Sequence, residues 1–324
     1  MSEKKLKILA YIHMYQPLHN AGAEVMLHQI LKNLVDRGHE VQVICRETNV
    51  DEFEGIKIHA LNDRNTKTLF AWADIVFTHL DMTKRAIKLA VTYRKPLVHL
   101  IHNDSQISYH RINARFAQLL VPNSQWIKNT ISMKTPIVTV YPPTVPEKYA
   151  IKPTGDAITL INMNESKGGK IFWQLARLMP ERNFIGVKGA YGEQITYKED
   201  LPNVIIYENT PDILKIYKQT RILLMPSGYE SWGRTGIEAA CSGIPTIATP
   251  TPGLKESLGE SGTFVEHGDI AGYVEAIRAF DNKTLYKEKS KLAKERSVFL
   301  AAEFEWQMNA LEEKIIEISE KWRR

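Results

Sequence analysis

The sequence predicts an α/β protein with two domains, each built on a parallel sheet that helices cover on both faces. Short apolar runs of strand length alternate with amphipathic stretches of helical length along most of the 324 residues. Such alternation is typical of parallel strands joined by crossover helices. The length also exceeds what a single hydrophobic core usually serves. We therefore expect two successive domains, each with its own core.

The first half of the chain begins with a strand, a loop, a helix and a second strand. The loop contains Pro17 and Gly22, the helix spans about 23–37, and Gly38 ends it. This order is typical of a nucleotide-binding unit. The predicted strands of this half are 6–12, 40–45, 56–61, 75–80, 97–101 and 118–122.

The alternation breaks between residues 136 and 155, where Pro142, Pro143, Pro146 and Pro153 cannot sustain a helix interior or a central strand. We place the domain linker there. The alternation then resumes, which predicts a second Rossmann-like domain, so the expected domains are 1–143 and 144–303. The predicted strands of the second domain are 157–162, 183–187, 204–207, 222–225, 245–248 and 263–265.

A final helix over 304–324 carries a single apolar stripe, which must dock on another part of the molecule. Its members recur at spacings of three and four residues: Phe304, Met308, Leu311, Ile315, Ile318 and Trp322.

The composition is that of an ordinary globular protein, with 44% hydrophobic and 24% charged residues. No apolar run reaches the roughly 18 residues that a membrane span needs, and the first residues lack the features of a signal peptide. Cys45 and Cys241 give neither a disulfide framework nor a metal-ligand spacing. We therefore expect a cytoplasmic protein.

A basic helix face accompanies the net charge of +5. In the helix predicted over 81–95, Lys84, Arg85 and Lys88 lie on one face and apolar residues on the other. One interpretation is the solvated face of a packed helix. The other is weak association with an anionic surface, either nucleic acid or a membrane to which the protein would be peripheral.

A Gly-rich stretch in the second domain, Pro226 to Glu238, carries two carboxylates eight positions apart, Glu230 and Glu238. We expect Glu238 in the first turn of a helix and Glu230 in the loop before it. Free backbone N–H groups at a helix start favour phosphate, and a carboxylate just inside can accept ribose hydroxyls. The alternative is that Glu238 merely complements the helix dipole and Glu230 is a solvated loop acid.

Three further candidates follow predicted strands, at the sheet ends where parallel sheets bind ligands. Gly22 would let a phosphate approach the backbone, or is a simple turn residue. His102 could position a sugar hydroxyl or stabilise charge, or is a structural histidine capped by Asp104. Lys167, followed by two glycines, is suited to a diphosphate.

Several motifs are missing from the sequence. No GxGxxG motif follows a strand, so a nicotinamide or flavin dehydrogenase lacks its main support, and Lys167 does not have Walker spacing. No Asp-x-Asp pair, HExxH motif or Cys/His cluster indicates a metal. Lys, Arg and helix N-termini must then stabilise the negative charge of a diphosphate. This favours a metal-independent nucleotide-sugar enzyme without a cofactor.

Together these motifs resemble the retaining glycosyltransferases of the GT-B fold, and more narrowly glycosyltransferase family 4, whose signature is Glu, seven residues, Glu. The resemblance spans almost the whole chain. It implies two Rossmann-like domains facing across a cleft, with the last helix crossing back to the first domain. It rests on Gly22-Ala23-Glu24, Arg37-Gly38-His39, Lys167-Gly168 and the run from Pro226 through Glu238 to Pro245.

The resemblance also implies a role for each candidate residue. Glu230 would contact donor-sugar hydroxyls, with His102 beside the sugar, and Glu238 would hold the nucleotide ribose. Lys167 would bind phosphate, and Gly22 would lie against the diphosphate. Backbone amides of the motif loop would meet the sugar and the diphosphate, at Trp232, Gly233, Arg234 and Thr235.

One departure from the family concerns Asn162, which stands where an arginine is expected before Lys167. We hypothesise that Arg234 supplies the missing charge at the donor-binding site. The implied reaction is transfer of a hexosyl group from a nucleoside diphosphate sugar to an acceptor hydroxyl with retention at the anomeric carbon.

Several functional alternatives stay open at this point. We expect a UDP-sugar, although uridine and guanosine are not separated by these residues. The acceptor could be a glycan, a lipid-linked sugar, a metabolite, a protein or a nucleic acid. The chain could also be a nucleotide-sugar-binding protein, an epimerase or a phosphorylase with the same fold.

Overall fold

The computed structural model describes residues 4–104, 116–190, 192–197 and 201–323. They fall into two units. The first comprises the described residues up to Pro143 together with those from Glu303 onward, and the second comprises Thr144–Ala302. The boundary expected from the proline-rich linker also lies after residue 143.

A seven-stranded sheet forms the centre of the first unit, in the order β3-β4-β2-β1-β5-β6-β7. All its pairings are parallel except that of β3 with β4. The strand order reverses beside β1, and ligands of open parallel sheets bind at such a reversal. The strands are β1 (Lys7–Tyr11), β2 (Glu40–Cys45), β3 (Glu52–Phe53), β4 (Ile56–Ala60), β5 (Ile75–His79), β6 (Leu97–Ile101) and β7 (Leu119–Pro122).

Helices lie on both faces of this sheet. Along β1, Ile8 and Ala10 belong to one core cluster and Leu9 to the other, because successive side chains of a strand point to opposite faces. On the predicted basic helix, Lys84, Arg85 and Lys88 are exposed. The helices are α1 (Gly22–Asp36), α2 (Asp63–Trp72), α3 (Thr83–Thr92) and α4 (Gln125–Thr130).

A six-stranded parallel sheet forms the second unit, in the order β10-β9-β8-β11-β12-β13. Its strands are β8 (Ala157–Ile161), β9 (Phe184–Val187), β10 (Val204–Tyr207), β11 (Thr220–Met225), β12 (Thr246–Ala248) and β13 (Gly262–Phe264). The helices are α5 (Pro146–Tyr149), α6 (Gly169–Leu178), α7 (Ile213–Gln219), α8 (Arg234–Cys241), α9 (Pro252–Leu258) and α10 (Ile270–Ala279). The strand order here reverses between β8 and β11.

The last helix, α11 (Lys283–Arg323), is longer than the sequence predicts because it already begins at Lys283. No Gly or Pro interrupts it. From Glu303 onward it belongs to the first unit, where its apolar stripe joins the core cluster of β1 and α1. The stripe thus packs on the same unit as β1 and α1. Trp322 does not join the stripe; it is 45% exposed, and its indole N–H donates to the Arg94 carbonyl at 2.7 Å.

Polar contacts also fasten α11 to the first unit. Arg37, which follows α1, donates from Nη1 to Glu312 Oε2 at 2.8 Å and from Nη2 to Glu305 Oε2 at 3.1 Å. His39 Nε2 lies 2.9 Å from Glu312 Oε1. Among the described residues, no helix has the length and apolar character to cross a bilayer.

Candidate functional site

The two carboxylates of the motif flank the loop between β11 and α8. Gly233 adopts a left-handed conformation with φ of 86°, and the helix begins at the next residue, Arg234. This φ is strained for other residues, and a Cβ at position 233 would also lie 2.3 Å from Leu254 Cδ2, so the position favours glycine. Glu238 therefore lies in the second turn of α8, and the prediction of a first-turn position is wrong. The described first turn of α8 contains no acidic residue.

Glu238 is buried and forms an ion pair within α8. Arg234 Nη2 lies 2.5 Å from Glu238 Oε1, the i,i+4 spacing that lets charges meet on one helix. Tyr217 donates its hydroxyl to Oε2 of Glu238 at 3.1 Å. Arg234 also donates to the Tyr149 hydroxyl at 2.9 Å. Each carboxylate oxygen has two acceptor positions, so Glu238 can still accept hydroxyls from a ligand.

Both tyrosines of this network remain protonated at neutral pH. Burial, followed by the negative charge of Glu238, raises the pKa of Tyr149 to about 12. The same two causes raise the pKa of Tyr217 well above its usual value of 10.0. Both side chains are thus hydrogen-bond donors for nearby oxygens, and they hold the Arg234–Glu238 pair in place.

Glu230 pairs with Lys167 from the loop after the neighbouring strand β8. Lys167 Nζ lies 2.5 Å from Glu230 Oε1, and Ser227 donates to the same oxygen at 3.1 Å. The two side chains are 27% and 14% exposed, so the pair borders solvent. Glu230 is thus a paired residue rather than a solvated loop acid. The pair joins two loops at the carboxyl ends of adjacent strands, where the sequence predicts a ligand.

Backbone contacts hold these two loops against each other. Gly228 donates its N–H to the Ser166 carbonyl at 3.0 Å. Gly168, with φ of 93°, has no room for a side chain because a Cβ would lie 2.7 Å from the Pro226 carbonyl oxygen. Asn164 accepts the Lys167 N–H at 3.1 Å and so closes the turn that carries the lysine.

Asn162, Trp232 and Thr235, three further predicted donor-binding residues, lie in the same unit. Asn162 ends β8 in a left-handed conformation with φ of 74°, and its side chain lies against Gly189. Trp232 is buried, and its carbonyl accepts a hydrogen bond from Ser257 at 2.5 Å. The carbonyl of Thr235 accepts the Tyr217 hydroxyl at 3.4 Å.

His102 and Gly22 lie in the first unit. His102 follows β6 and is buried, and its Nε2 shares a hydrogen bond of 2.9 Å with Nδ1 of His79 at the end of β5. Its carbonyl accepts from the Asn123 amide at 3.0 Å. Gly22 is the first residue of α1, and a Cβ there would meet nothing within 4 Å.

The fold also brings together three residues that sequence reasoning missed: His13, Glu24 and His79. All three are buried, and one ligand-capable atom of each lies within 4.8 Å of the others. Burial, followed by the neighbouring histidines, lowers the pKa of His79 well below 6.5. Their sequence positions fit no metal-binding motif. Only the strand order could have revealed this cluster, because β1 and β5 are neighbours and α1 starts at the same end of the sheet.

A family described as glycosyl transferases group 1 matches residues 165–281. This segment contains both Lys167 and the Glu230–Glu238 motif. The chain is 28% identical over 99 residues to a glycogen synthase of Mycobacterium tuberculosis, a match covering 30% of this chain and 23% of the relative. It is 32% identical over 90 residues to D-inositol 3-phosphate glycosyltransferase 1 of Catenulispora acidiphila, covering 27% and 20%. The chain thus matches less than a quarter of the length of these relatives.

Solved structures resemble the chain over nearly its whole length. Anabaena Alr3699/HepE in complex with UDP-glucose aligns with a TM-score of 0.76 at 17% identity, covering 98% of this chain and 100% of that one. A glycosyltransferase from Rickettsia africae aligns with a TM-score of 0.74 at 17% identity, covering 99% of each chain. The chain therefore has the GT-B fold, with two Rossmann-like units.

Proposed function

We propose that this chain, whose second unit carries the group 1 glycosyl transferase segment, is a retaining glycosyltransferase that moves a hexosyl group from a nucleoside diphosphate sugar to an acceptor hydroxyl. The observation that carries the proposal is the Lys167–Glu230 pair, held at 2.5 Å between the loops that follow β8 and β11. It offers a cation for phosphate and a carboxylate for sugar hydroxyls at adjoining positions. UDP-glucose bound to the structurally similar HepE supports a UDP-sugar as donor.

Lys167 and Glu230 exchange partners when the donor binds. Without donor, each neutralises the other at the solvent border. With donor, the ammonium turns to a phosphate oxygen and the carboxylate accepts sugar hydroxyls. Because Ser227 also holds Glu230, the carboxylate keeps its place during this exchange. After the exchange, the lysine ammonium contacts the diphosphate and stabilises the negative charge that develops there as the sugar departs.

Retention follows a front-face route in this proposal. With donor bound, Glu230 accepts from Ser227 and from sugar hydroxyls, and Glu238 is engaged by Arg234 and Tyr217, so neither carboxylate acts as a covalent nucleophile. The leaving phosphate then helps to deprotonate the acceptor hydroxyl. Lys167, Arg234 and loop N–H groups meet the diphosphate charge, so donor binding requires no metal ion. The sugar contact implied for His102 stays a prediction.

The proposal is tested with a panel of UDP- and GDP-sugars, by following release of the nucleoside diphosphate with and without acceptor sugars. Lys167→Ala should lower kcat/KM at least about 100-fold, since it removes a group that stabilises the transition state. Lys170→Ala is the matched control, because Lys170 pairs with Glu165 on the exposed surface of the same region. NMR of the product should show the anomeric configuration of the donor.

Two results would overturn the proposed function. One is that no donor in the panel releases its nucleotide although a nucleotide binds, which would make the chain a binding protein. The other is equal turnover by Lys167→Ala and the wild type. An inverted anomer would refute retention alone.

Arg234 is the proposed source of the phosphate charge absent at Asn162. Its guanidinium is already paired with Glu238, so it serves the diphosphate through its remaining N–H donors. Loss of one charge-assisted contact should weaken UDP binding about tenfold in Arg234→Ala. Isothermal titration measures this on protein whose folding has been checked by circular dichroism. UDP affinity equal to that of the wild type would exclude this role.

A further inference from the structure

Three buried side chains of the first unit converge at the carboxyl end of its sheet. His13 follows β1, Glu24 lies in the first turn of α1, and His79 ends β5. Since β1 and β5 are paired in parallel, their ends lie side by side. One ligand-capable atom of each residue lies within 4.8 Å of the others.

Within the part of the chain that the structure describes, the charge of Glu24 has no close partner. The residue is 4% exposed, and its nearest ion-pair partner is His13 Nε2, 3.8 Å from Oε1 and thus beyond hydrogen-bond distance. A buried carboxylate without a nearby cation or donors is strongly unfavourable. Some positive charge is therefore expected at this position.

One ring nitrogen of each histidine in this cluster is also unsatisfied. Among the described residues, neither His79 Nε2 nor His13 Nδ1 has a hydrogen-bond partner, and both atoms are buried. His79 itself is fully buried. Native proteins rarely leave such atoms without a partner, unless a water molecule or an ion occupies the space.

The second nitrogen of His79 is held in the way typical of a metal ligand. Nδ1 shares a hydrogen bond of 2.9 Å with His102 Nε2, which leaves Nε2 as the atom able to bind. Metal-binding histidines usually hydrogen-bond through their other nitrogen, which fixes the ring and its tautomer.

We propose that His13, Glu24 and His79 bind a divalent transition-metal ion of the zinc class. Two imidazoles and one carboxylate form a ligand set that zinc accepts, with a fourth position open to water. Nitrogen ligands favour zinc and its neighbours over magnesium or calcium. A bound water could satisfy the ring nitrogens, but it would leave the charge of Glu24 uncompensated.

Metal binding requires only a local contraction. Zinc lies about 2.0–2.1 Å from nitrogen and oxygen ligands, so ligand atoms in a tetrahedral site are about 3.4 Å apart. Rotations of the three side chains can bring them to this spacing from within 4.8 Å. The side chains of His13 and Glu24 are 10% and 5% exposed, which gives an ion a way in.

The site does not depend on the proposed glycosyl transfer, because none of its three residues is assigned a contact with the donor. The readout is therefore metal content and affinity rather than turnover. The full-length protein is treated with a chelator, dialysed, and titrated with ZnCl2. Mass spectrometry of the metal then gives the bound equivalents, and competition with a chromophoric chelator gives Kd.

The wild type should hold about one equivalent of zinc per chain, and MgCl2 at the same concentration should not compete. Glu24→Gln should raise the zinc Kd at least about 100-fold. This is a larger effect than is typical for losing a residue that only hydrogen-bonds to a metal ligand. This variant removes an uncompensated buried charge and should fold at least as well as the wild type. His79→Asn should act in the same direction.

His59→Gln is the matched control, since His59 lies on β4 of the same sheet and hydrogen-bonds to Gln42 at 2.8 Å. It should bind zinc as the wild type does. Less than about 0.1 equivalent in the wild type, relative to the single site expected, would overturn the proposal. Equal zinc affinity in Glu24→Gln and the wild type would overturn it as well.

Discussion

Gly168 lies where the loop after β8 packs against Pro226 of the loop after β11. Its φ of 93° is strained for any other residue, and a Cβ would also lie 2.4 Å from Pro226 Cγ. Gly268 has a similar φ of 84° but nothing within 4 Å of its Cβ position. An alanine at position 268 would therefore cause backbone strain alone, whereas an alanine at position 168 would add a steric clash.

Gly168→Ala should destabilise the second unit by about 3 kcal/mol, because the alanine is strained and also pushes Pro226 away. Gly268→Ala should cost only about 1 kcal/mol, the strain alone. Urea unfolding followed by circular dichroism measures both. Equal losses in the two variants would show that the contact between the loops is not tight.

Tyr149 makes the stability of the second unit sensitive to alkaline pH. Burial and the charge of Glu238 raise its pKa from 10.0 to about 12 in the folded protein. Between these values the folded state keeps a proton that the unfolded state loses. The free energy of unfolding therefore falls as pH rises from 10 to 12, and it is unaffected by this group below pH 10.

At pH 11 this effect of Tyr149 should lower the free energy of unfolding by about 1.4 kcal/mol. Tyr149→Phe should lose correspondingly less stability than the wild type between pH 9 and pH 11. Urea titrations at the two pH values give the difference. Parallel losses in both proteins would mean that the hydroxyl is not buried beside Glu238.

Strands were predicted almost residue for residue, because buried parallel strands are short apolar runs that Gly, Pro or polar residues bound. Thus β2 and β6 have the predicted ends, and β8 and β12 differ by one residue. The strand β3 was not predicted, since two residues carry no periodic signal. The first half of α11 was missed because the apolar stripe, on which the prediction rested, begins only at Phe304.

The candidate site could be predicted only in part. Lys167 and Glu230 are 63 positions apart, so no local pattern reveals their contact. Arg234 and Glu238 stand at i,i+4 on one helix, a spacing from which the ion pair was predictable. The resemblance instead implies a separate ligand role for each residue. The His13, Glu24 and His79 cluster depends on strand order, which one sequence does not show.

The C-terminal half of α11 acts as a structural part of the first unit. Leu311 is fully buried in the core cluster with β1 and α1, whereas Trp306 on the same helix is 68% exposed. Leu311→Ala should destabilise the first unit by about 3 kcal/mol through lost burial and a cavity. Trp306→Ala should stay within about 0.5 kcal/mol of the wild type.

Urea unfolding of the two variants tests this role of the helix. If Leu311→Ala and Trp306→Ala unfold at the same urea concentration as the wild type, the helix does not contribute to the core. A stable protein after truncation at residue 302 would contradict the assignment in the same way, because the cluster would then lose five of its side chains: Phe304, Met308, Leu311, Ile315 and Ile318.

At the scale of the whole molecule, the two units carry different ligand chemistry. The described site of the second unit presents Lys167 and Arg234, whose cationic side chains suit an anion. The first unit presents two imidazoles and a carboxylate, which suit a transition metal. Each ligand should therefore stabilise the unit that binds it, since binding to the folded state alone shifts the folding equilibrium.

Hydrogen exchange with mass spectrometry should resolve the two effects on one protein. UDP at 100 times its Kd adds about 2.7 kcal/mol of stability by mass action, so peptides from 157–168 and 222–241 should exchange more slowly. Zinc should instead slow exchange in peptides from 7–30 and 75–80. Lys167→Ala should weaken only the first response and Glu24→Gln only the second. If EDTA abolishes the protection by UDP, donor binding is not metal-independent. If zinc protects only peptides of the second unit, the metal site is refuted.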